Sequence, residues 1–246
     1  MRHWLPVLIA ILLASSACGP SRTQRPEVTI AAAANLTEVF QRLGPKFESQ
    51  TGIHPVFSFA STAQLAQQIE NQAPFDVIAA ADAVHVEQLD RKGLLVPGTR
   101  ATYATGVLAL WIPRALVNHL EDLTSPEVRV VAVAKPDLAP YGQASVDALK
   151  NAGIWEKVNP KIVYAENINM AKQYGTSGNA DAVFTAYSLV LHENGKMITI
   201  DERLHQPLVQ DLAIIGRSPH QTEARQFVAF LLGASGRDLL QSYGYH

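Results

Sequence analysis

Apolar and polar positions switch between two periods along most of the chain. Val28-Thr29-Ile30-Ala31-Ala32 is an apolar run of strand length. Leu36, Val39, Phe40, Leu43 and Phe47 follow at helical spacing, which predicts an amphipathic helix over 36–50, stopped at Thr51-Gly52. Val56 to Phe59 reads as a strand, and Leu65, Ala66 and Ile69 mark the helix after it. Phe75 to Ala80 is the next strand and 83–92 the next helix, ended by Gly93. The alternation of strand and helix argues for a parallel sheet covered by helices on both faces.

The pattern then restarts. Val107 to Ile112 and Val128 to Ala134 read as strands, 142–152 and 167–175 as helices, with strands at 161–164 and 182–185. The tail adds a strand, Leu208 to Ile215, and a helix with Ala224, Phe227, Val228 and Leu231 facing inward. The element order breaks near 100–106 and near 195–206. The expected fold class is therefore α/β with two lobes, each a mostly parallel sheet flanked by helices. A ligand cleft between lobes joined by two crossings follows from that order. Lobe one is expected to comprise 27–104 and 200–246, and lobe two 105–199.

The N-terminus breaks the pattern. Met1-Arg2-His3 is a short positive start, and Trp4 to Ala14 is an apolar run too short for a membrane span of ~20 residues. Residues 1–17 thus read as a signal peptide. Ser15-Ser16-Ala17 are small, and Cys18, the single cysteine, follows at once. Cys18 is expected to take a lipid and become the mature N-terminus. Ser15 stands where such signals usually carry leucine, so simple export with cleavage after Ala17 is the alternative. Either way the protein is expected to work outside the cytoplasm, in the periplasm or cell envelope, with 18–26 as a polar tether.

Composition narrows the function. The chain has 246 residues, 48% hydrophobic and 17% charged, with a net charge of −2. That balance excludes disorder and, with no basic cluster, nucleic-acid binding by bulk charge. One cysteine excludes a disulfide framework and thiolate zinc sites. No P-loop, dinucleotide fingerprint, zinc-protease motif or nucleophile elbow is present, and the eight histidines show no metal-ligand spacing. Asp76 and Asp82 flank an apolar strand, where they could serve as acid and base or simply cap strand and helix ends.

The helix starts carry more information. Asn35-Leu36-Thr37-Glu38 and Ser61-Thr62-Ala63-Gln64 read as N-caps with an acid or amide at the third helical position. Pro140-Tyr141-Gly142 opens the third helix of interest and Asn167-Ile168-Asn169 the fourth. In a doubly wound sheet these starts lie at the carboxyl ends of strands, where ligands bind. Each offers unpaired backbone N–H groups at the positive end of a helix dipole, so converging starts would hold an anion without Arg or Lys. Hydroxyl and amide groups of Asn35, Ser61, Thr62 and Tyr141 would add donors.

Several segments resemble a known family. Ala31-Ala32-Ala33-Ala34-Asn35-Leu36-Thr37 resembles the "AAASLT" opening of the periplasmic molybdate-binding proteins of ABC transporters. Phe57 to Ile69 is similar to their SFASS-x-x-LA-x-QI motif, and Ala73 to Asp82 to their "GAPADLFISAD" stretch. Val133 to Gly142 with Ala148-Leu149 resembles their second-lobe helix start, and Ser242-Tyr243-Gly244-Tyr245 their closing "YGF". The likeness spans roughly residues 27–245. It implies a two-lobed binding protein of the periplasmic type that closes on a tetrahedral oxyanion. Its ligand positions fall on Asn35 (serine in many relatives), Thr62 with Ser61 before it, Tyr141, Ile168 through its backbone N–H, and Thr185. A tyrosine binds the anion at the Thr185 position in some members, and Tyr141 or Tyr187 could supply the missing hydroxyl here.

The resulting expectation is an extracytoplasmic protein, not an enzyme, that captures molybdate and tungstate for an ABC importer, with the permease as partner. A monomer without metal cation, nucleotide or other cofactor is expected. The alternatives are a binding protein for another oxyanion such as sulfate, an enzyme using Asp76 or Asp82 as a base, and an extracytoplasmic sensor or structural lipoprotein.

Overall fold

The computed structural model describes residues 25–114 and 117–246; the leader 1–17, Cys18 and the tether up to Gln24 lie outside them. The first apolar run forms β1 (Glu27–Ala33), which a 3-10 turn (Ala34–Leu36) joins to α1 (Thr37–Thr51). There follow β2 (His54–Ala60), α2 (Thr62–Glu70), β3 (Val77–Ala79) and α3 (Val84–Arg91). Next come β4 (Ala101–Gly106), β5 (Leu108–Ile112) and β6 (Val131–Ala134). After them are α4 (Pro140–Asn151), α5 (Trp155–Val158), β7 (Ile162–Ala165) and α6 (Ile168–Thr176). The chain ends with β8 (Ala182–Ala186), α7 (Tyr187–Val190), β9 (Lys196–Thr199), β10 (Leu208–Ile214), α8 (Gln221–Leu232) and α9 (Ala234–Ser242).

These strands make two five-stranded sheets, ordered β2-β1-β3-β10-β4 and β7-β6-β8-β5-β9. In each, the first three strands are parallel and the last two run antiparallel to their neighbours. The sheets are thus mixed where the sequence pattern predicts mostly parallel ones. The antiparallel strands are those next to the crossings. β4 leaves the first sheet and β5 enters the second with only Val107 between them, and the return runs through 200–207 into β10. Two strands escape the sequence reading. β4 has no apolar run, and β9 is a four-residue edge strand paired only with β5.

Each sheet is packed on both faces. Under α1 and α8, Phe40, Phe47 and Phe227 are fully buried, and their rings meet edge-on. Phe57 of β2 leans on both Phe40 and Phe227. The second sheet buries Leu110, Val133 and Phe184 beneath α4. Ala33 at the end of β1, Ala34 and Ala81 join that same cluster, so small side chains let the two halves touch. Truncating Phe227 to alanine removes the ring shared by α1, β2 and α8. It should cost about 3–5 kcal/mol, measured as a lower urea midpoint with an unchanged slope.

Candidate functional site

Parallel connections place the helix starts after β1, β2, β6 and β7 at the carboxyl ends of those strands. The two sheets turn these ends toward each other. The resulting cavity is lined by Ala33, Ala34 and Asn35 where β1 ends, and by Ala60, Ser61 and Thr62 where β2 passes into α2. Ala139, Pro140 and Tyr141 of α4, Asn167 and Ile168 of α6, and Ala81 after β3 complete the wall. No charged side chain is among them. Asn35, Ser61, Thr62, Tyr141 and Ile168 are thus brought to one place; Thr185 and Tyr187 do not line it. Thr185 is fully buried on β8 with an unpartnered hydroxyl, and Tyr187 packs its ring against Gly244.

Counting protons separates the donors from the spectators. Thr62 Oγ1 accepts the Ala81 N–H at 3.0 Å and gives its own proton to no protein group among the described residues. Tyr141 Oη accepts from Gln210 Nε2 at 3.0 Å, has the Asn35 amide beside it, and likewise gives its proton to no protein acceptor among the described residues. Ser61 differs: its hydroxyl donates to Gln64 Oε1 at 2.7 Å, which also accepts the Ser61 N–H. Asn35 Nδ2 donates to Gln210 Oε1 and Tyr245 Oη, each at 3.0 Å, leaving Oδ1 buried without a partner. Asn35 therefore does not cap α1; it sits inside the 3-10 turn and ties that turn to β10 and the C-terminus.

The backbone supplies further donors. Asn167 caps α6 by accepting the Met170 N–H at 3.0 Å, and Pro140 occupies the first position of α4, where no N–H is needed. The first-turn N–H groups of Thr62, Tyr141 and Ile168 have no acceptor within their own helices. A Cβ at Gly142 would lie 2.2 Å from the Ala134 carbonyl oxygen, so glycine is what lets α4 start this close to β6.

The walls are joined across the cleft. Ala63 N donates to the Leu138 carbonyl at 3.2 Å, Ser188 Oγ to the Asn35 carbonyl at 3.1 Å, and Gln64 Nε2 to Glu166 at 3.4 Å. Lys172 of α6, nearly buried, pairs with Glu38 of α1 at 3.3 Å and with Glu193 at 2.7 Å. Asp76 and Asp82 play the structural part. Asp76 accepts from Thr29 N, Ser218 Oγ and His220 at the amino end of β3, away from the cavity. Asp82 holds His85 N and its ring at the start of α3, and that bond raises the His85 pKa. Among the described residues no cluster of His, Cys, Asp and Glu is arranged to hold a metal ion.

Two α/β halves, two crossings and a cavity built from helix starts are the architecture of a two-lobed binding protein. The chain belongs to the bacterial extracellular solute-binding protein family, whose profile matches residues 28–246. It is 33% identical to the molybdate-binding protein ModA of Rhodobacter capsulatus, over 89% of this chain and 88% of that one. It is 34% identical to ModA of Azotobacter vinelandii, over 90% of each. The solved structure of the Azotobacter vinelandii periplasmic molybdate-binding protein superposes with a TM-score of 0.86 at 30% identity, covering 89% of this chain and 98% of that one.

Burial fixes the protonation of the phenols here. Tyr141 and Tyr103 have pKa values pushed well above the ordinary phenol range, first by desolvation and then by neighbouring tyrosines; Tyr245 is raised by desolvation too. Folding therefore favours their protonated forms. The stability this contributes is complete below the usual phenol pKa of about 10 and is lost as pH rises past it. An absorbance titration of the folded protein should leave these three tyrosines un-ionised at about pH 11, and they should ionise only as the circular dichroism of the fold is lost.

Proposed function

We propose that this protein captures molybdate, and tungstate with it, outside the cytoplasm and delivers it to an ABC importer. The observation that carries the reading is the pair of hydroxyls, Thr62 and Tyr141. Each accepts an N–H and gives its own proton to no protein group among the described residues, and both residues line a cavity with no charged side chain. The proposed oxyanion site comprises these two, with Asn35 and Ile168 through their backbone N–H groups; Ser61 lines it at the α2 start with its own protons engaged by Gln64. Helix dipoles spread the compensating charge over four elements. Thr185 does not line the cavity, so we assign it no direct contact.

A proton on the anion would face these donors and go unpaired, which disfavours hydrogen phosphate. Sulfate has the right charge but is smaller, and a rigid cavity leaves its oxygens too far from some donors. The cap roles of Asp76 and Asp82 support binding rather than turnover. The moving bodies are the two lobes, 27–104 with 200–246 and 105–199, and strand pairing favours carrying Thr105 and Gly106 with the first. Their closure is the signal to the permease. Cys18 is the proposed lipid anchor, and the protein acts as a monomer.

Thermal melting of the purified protein with each of four anions tests this. At about 1,000 times its dissociation constant a ligand adds about 4 kcal/mol. Molybdate and tungstate should give that shift, and phosphate none. An equal shift with sulfate favours the sulfate reading, and no shift with any of the four sinks the oxyanion assignment. Thr62→Val and Tyr141→Phe should each weaken molybdate binding by about 10- to 100-fold in calorimetric titration, as expected for one lost hydrogen bond to a charged group.

A further inference from the structure

Gln210 lies in β10 with no exposed surface and is absent from the cavity wall. An amide has one accepting and one donating end. Its Oε1 accepts from Asn35 Nδ2 at 3.0 Å and lies 2.8 Å from Tyr103 Oη, which shares its one proton with the Ala80 carbonyl at 2.8 Å; Nε2 lies 3.0 Å from Tyr141 Oη. The opposite rotation would place Oε1 against Tyr141 and take that hydroxyl's proton. The bond also joins the lobes, since Gln210 belongs to the first sheet and Tyr141 to a helix on the second. Gly106, at the first crossing, makes room for it. A Cβ there would lie 2.0 Å from Tyr141 Oη and 2.4 Å from Gln210 Nε2.

We propose that Gln210 is a positioning residue that fixes the Tyr141 hydroxyl as a donor to the bound oxyanion as the lobes come together. This rests on the oxyanion reading above. The groups facing Gln210 are the neutral phenols of Tyr103 and Tyr141 and the amide of Asn35, with Tyr245 behind them. The neighbouring Asp211 is engaged elsewhere, by Arg100 and Thr102.

Gln210→Glu tests the polarity. A protonated carboxyl keeps the amide's pattern, accepting with one oxygen and donating to Tyr141 with the other. An ionised one only accepts, so it claims the Tyr141 proton and turns an oxygen lone pair toward the ligand. Molybdate affinity is measured by calorimetry at about pH 6 and about pH 9 for the native protein, Gln210→Glu, Tyr141→Phe and the double variant. Native affinity should be flat. The Gln210→Glu variant should lose up to about tenfold per pH unit above the pKa of the new carboxyl. In the Tyr141→Phe background, where no hydroxyl can turn, the loss should shrink by about tenfold or more, leaving charge repulsion alone. Equal losses in both backgrounds, or a flat Gln210→Glu profile where the new carboxyl ionises between the two pH values, overturn the proposal; where burial keeps it protonated, Gln210→Met decides. If Gln210→Glu fails to fold, Gln210→Met serves instead. It should weaken binding several-fold at both pH values in the Tyr141 protein and have no effect in the Tyr141→Phe background; an equal effect in both overturns the assignment. A native protein that binds no molybdate overturns the ligand reading itself, a result separate from any difference among the variants.

Discussion

The hydrogen bond between Gln210 and Tyr141 is where the two sheets, the first crossing and the cavity meet. It exists only because Gly106 carries no side chain and because both groups are buried. Around it lies a small polar core of Asn35, Tyr103, Ser188 and Tyr245, drawn from β4, the 3-10 turn, α7 and the C-terminus. A buried network of this kind is costly unless nearly every donor finds an acceptor. Here the one unpaired side-chain atom is Asn35 Oδ1. The network thus fixes how the halves meet more strictly than the apolar contacts of Ala33, Ala34 and Ala81 alone would.

From that junction outward, the site is built by backbone geometry. Parallel strand-to-helix connections leave each helix start at the carboxyl end of its strand, and two sheets facing each other bring the starts together. The side chains then need only be small or precisely bonded. Alanines keep the walls close, Pro140 removes an N–H that has no acceptor, and Asn167 satisfies one that does need it. Charged side chains stay off the cavity wall: Lys172 spans to Glu38 and Glu193, and Lys135 pairs with Glu166.

Much of this was legible in the residues. Apolar runs marked β1, β6 and β8, an interrupted one marked β10, and helical spacing marked α1, α2, α4 and α6. What escaped lacked a local signature. β4, with the sequence Ala-Thr-Tyr-Ala-Thr-Gly, is held by pairing with β10 and by a single buried tyrosine, and neither leaves a period of two in apolar residues. The tail helix divides at Gly233 into α8 and α9, a break that apolar spacing does not register. At the site, the helix starts around Thr62, Tyr141 and Ile168 were readable as caps and first-turn positions. The fates of individual protons were not, because the partners that spend or spare them lie far away in sequence. Ser61 and Thr62 are adjacent and chemically alike, yet Gln64 takes the proton of one while the Ala81 N–H leaves the other free.

Gln210 shows the same limit from the other side. In the run Leu-Val-Gln-Asp-Leu-Ala-Ile, two polar residues interrupt an otherwise apolar strand, and both are buried. Such an interruption is expensive unless each group is satisfied, so the interruption itself was the signal. Asp211 answers it with an ion pair to Arg100 and a hydroxyl from Thr102, both from the neighbouring strand region. Gln210 answers it with three partners on three separate segments, one of them on the opposite lobe. The first solution ties one strand to its neighbour, whereas the second ties the lobes to each other at the cavity. A neutral amide suits that position, because it sets the direction of a hydroxyl without placing a charge beside a site whose other side chains are all uncharged.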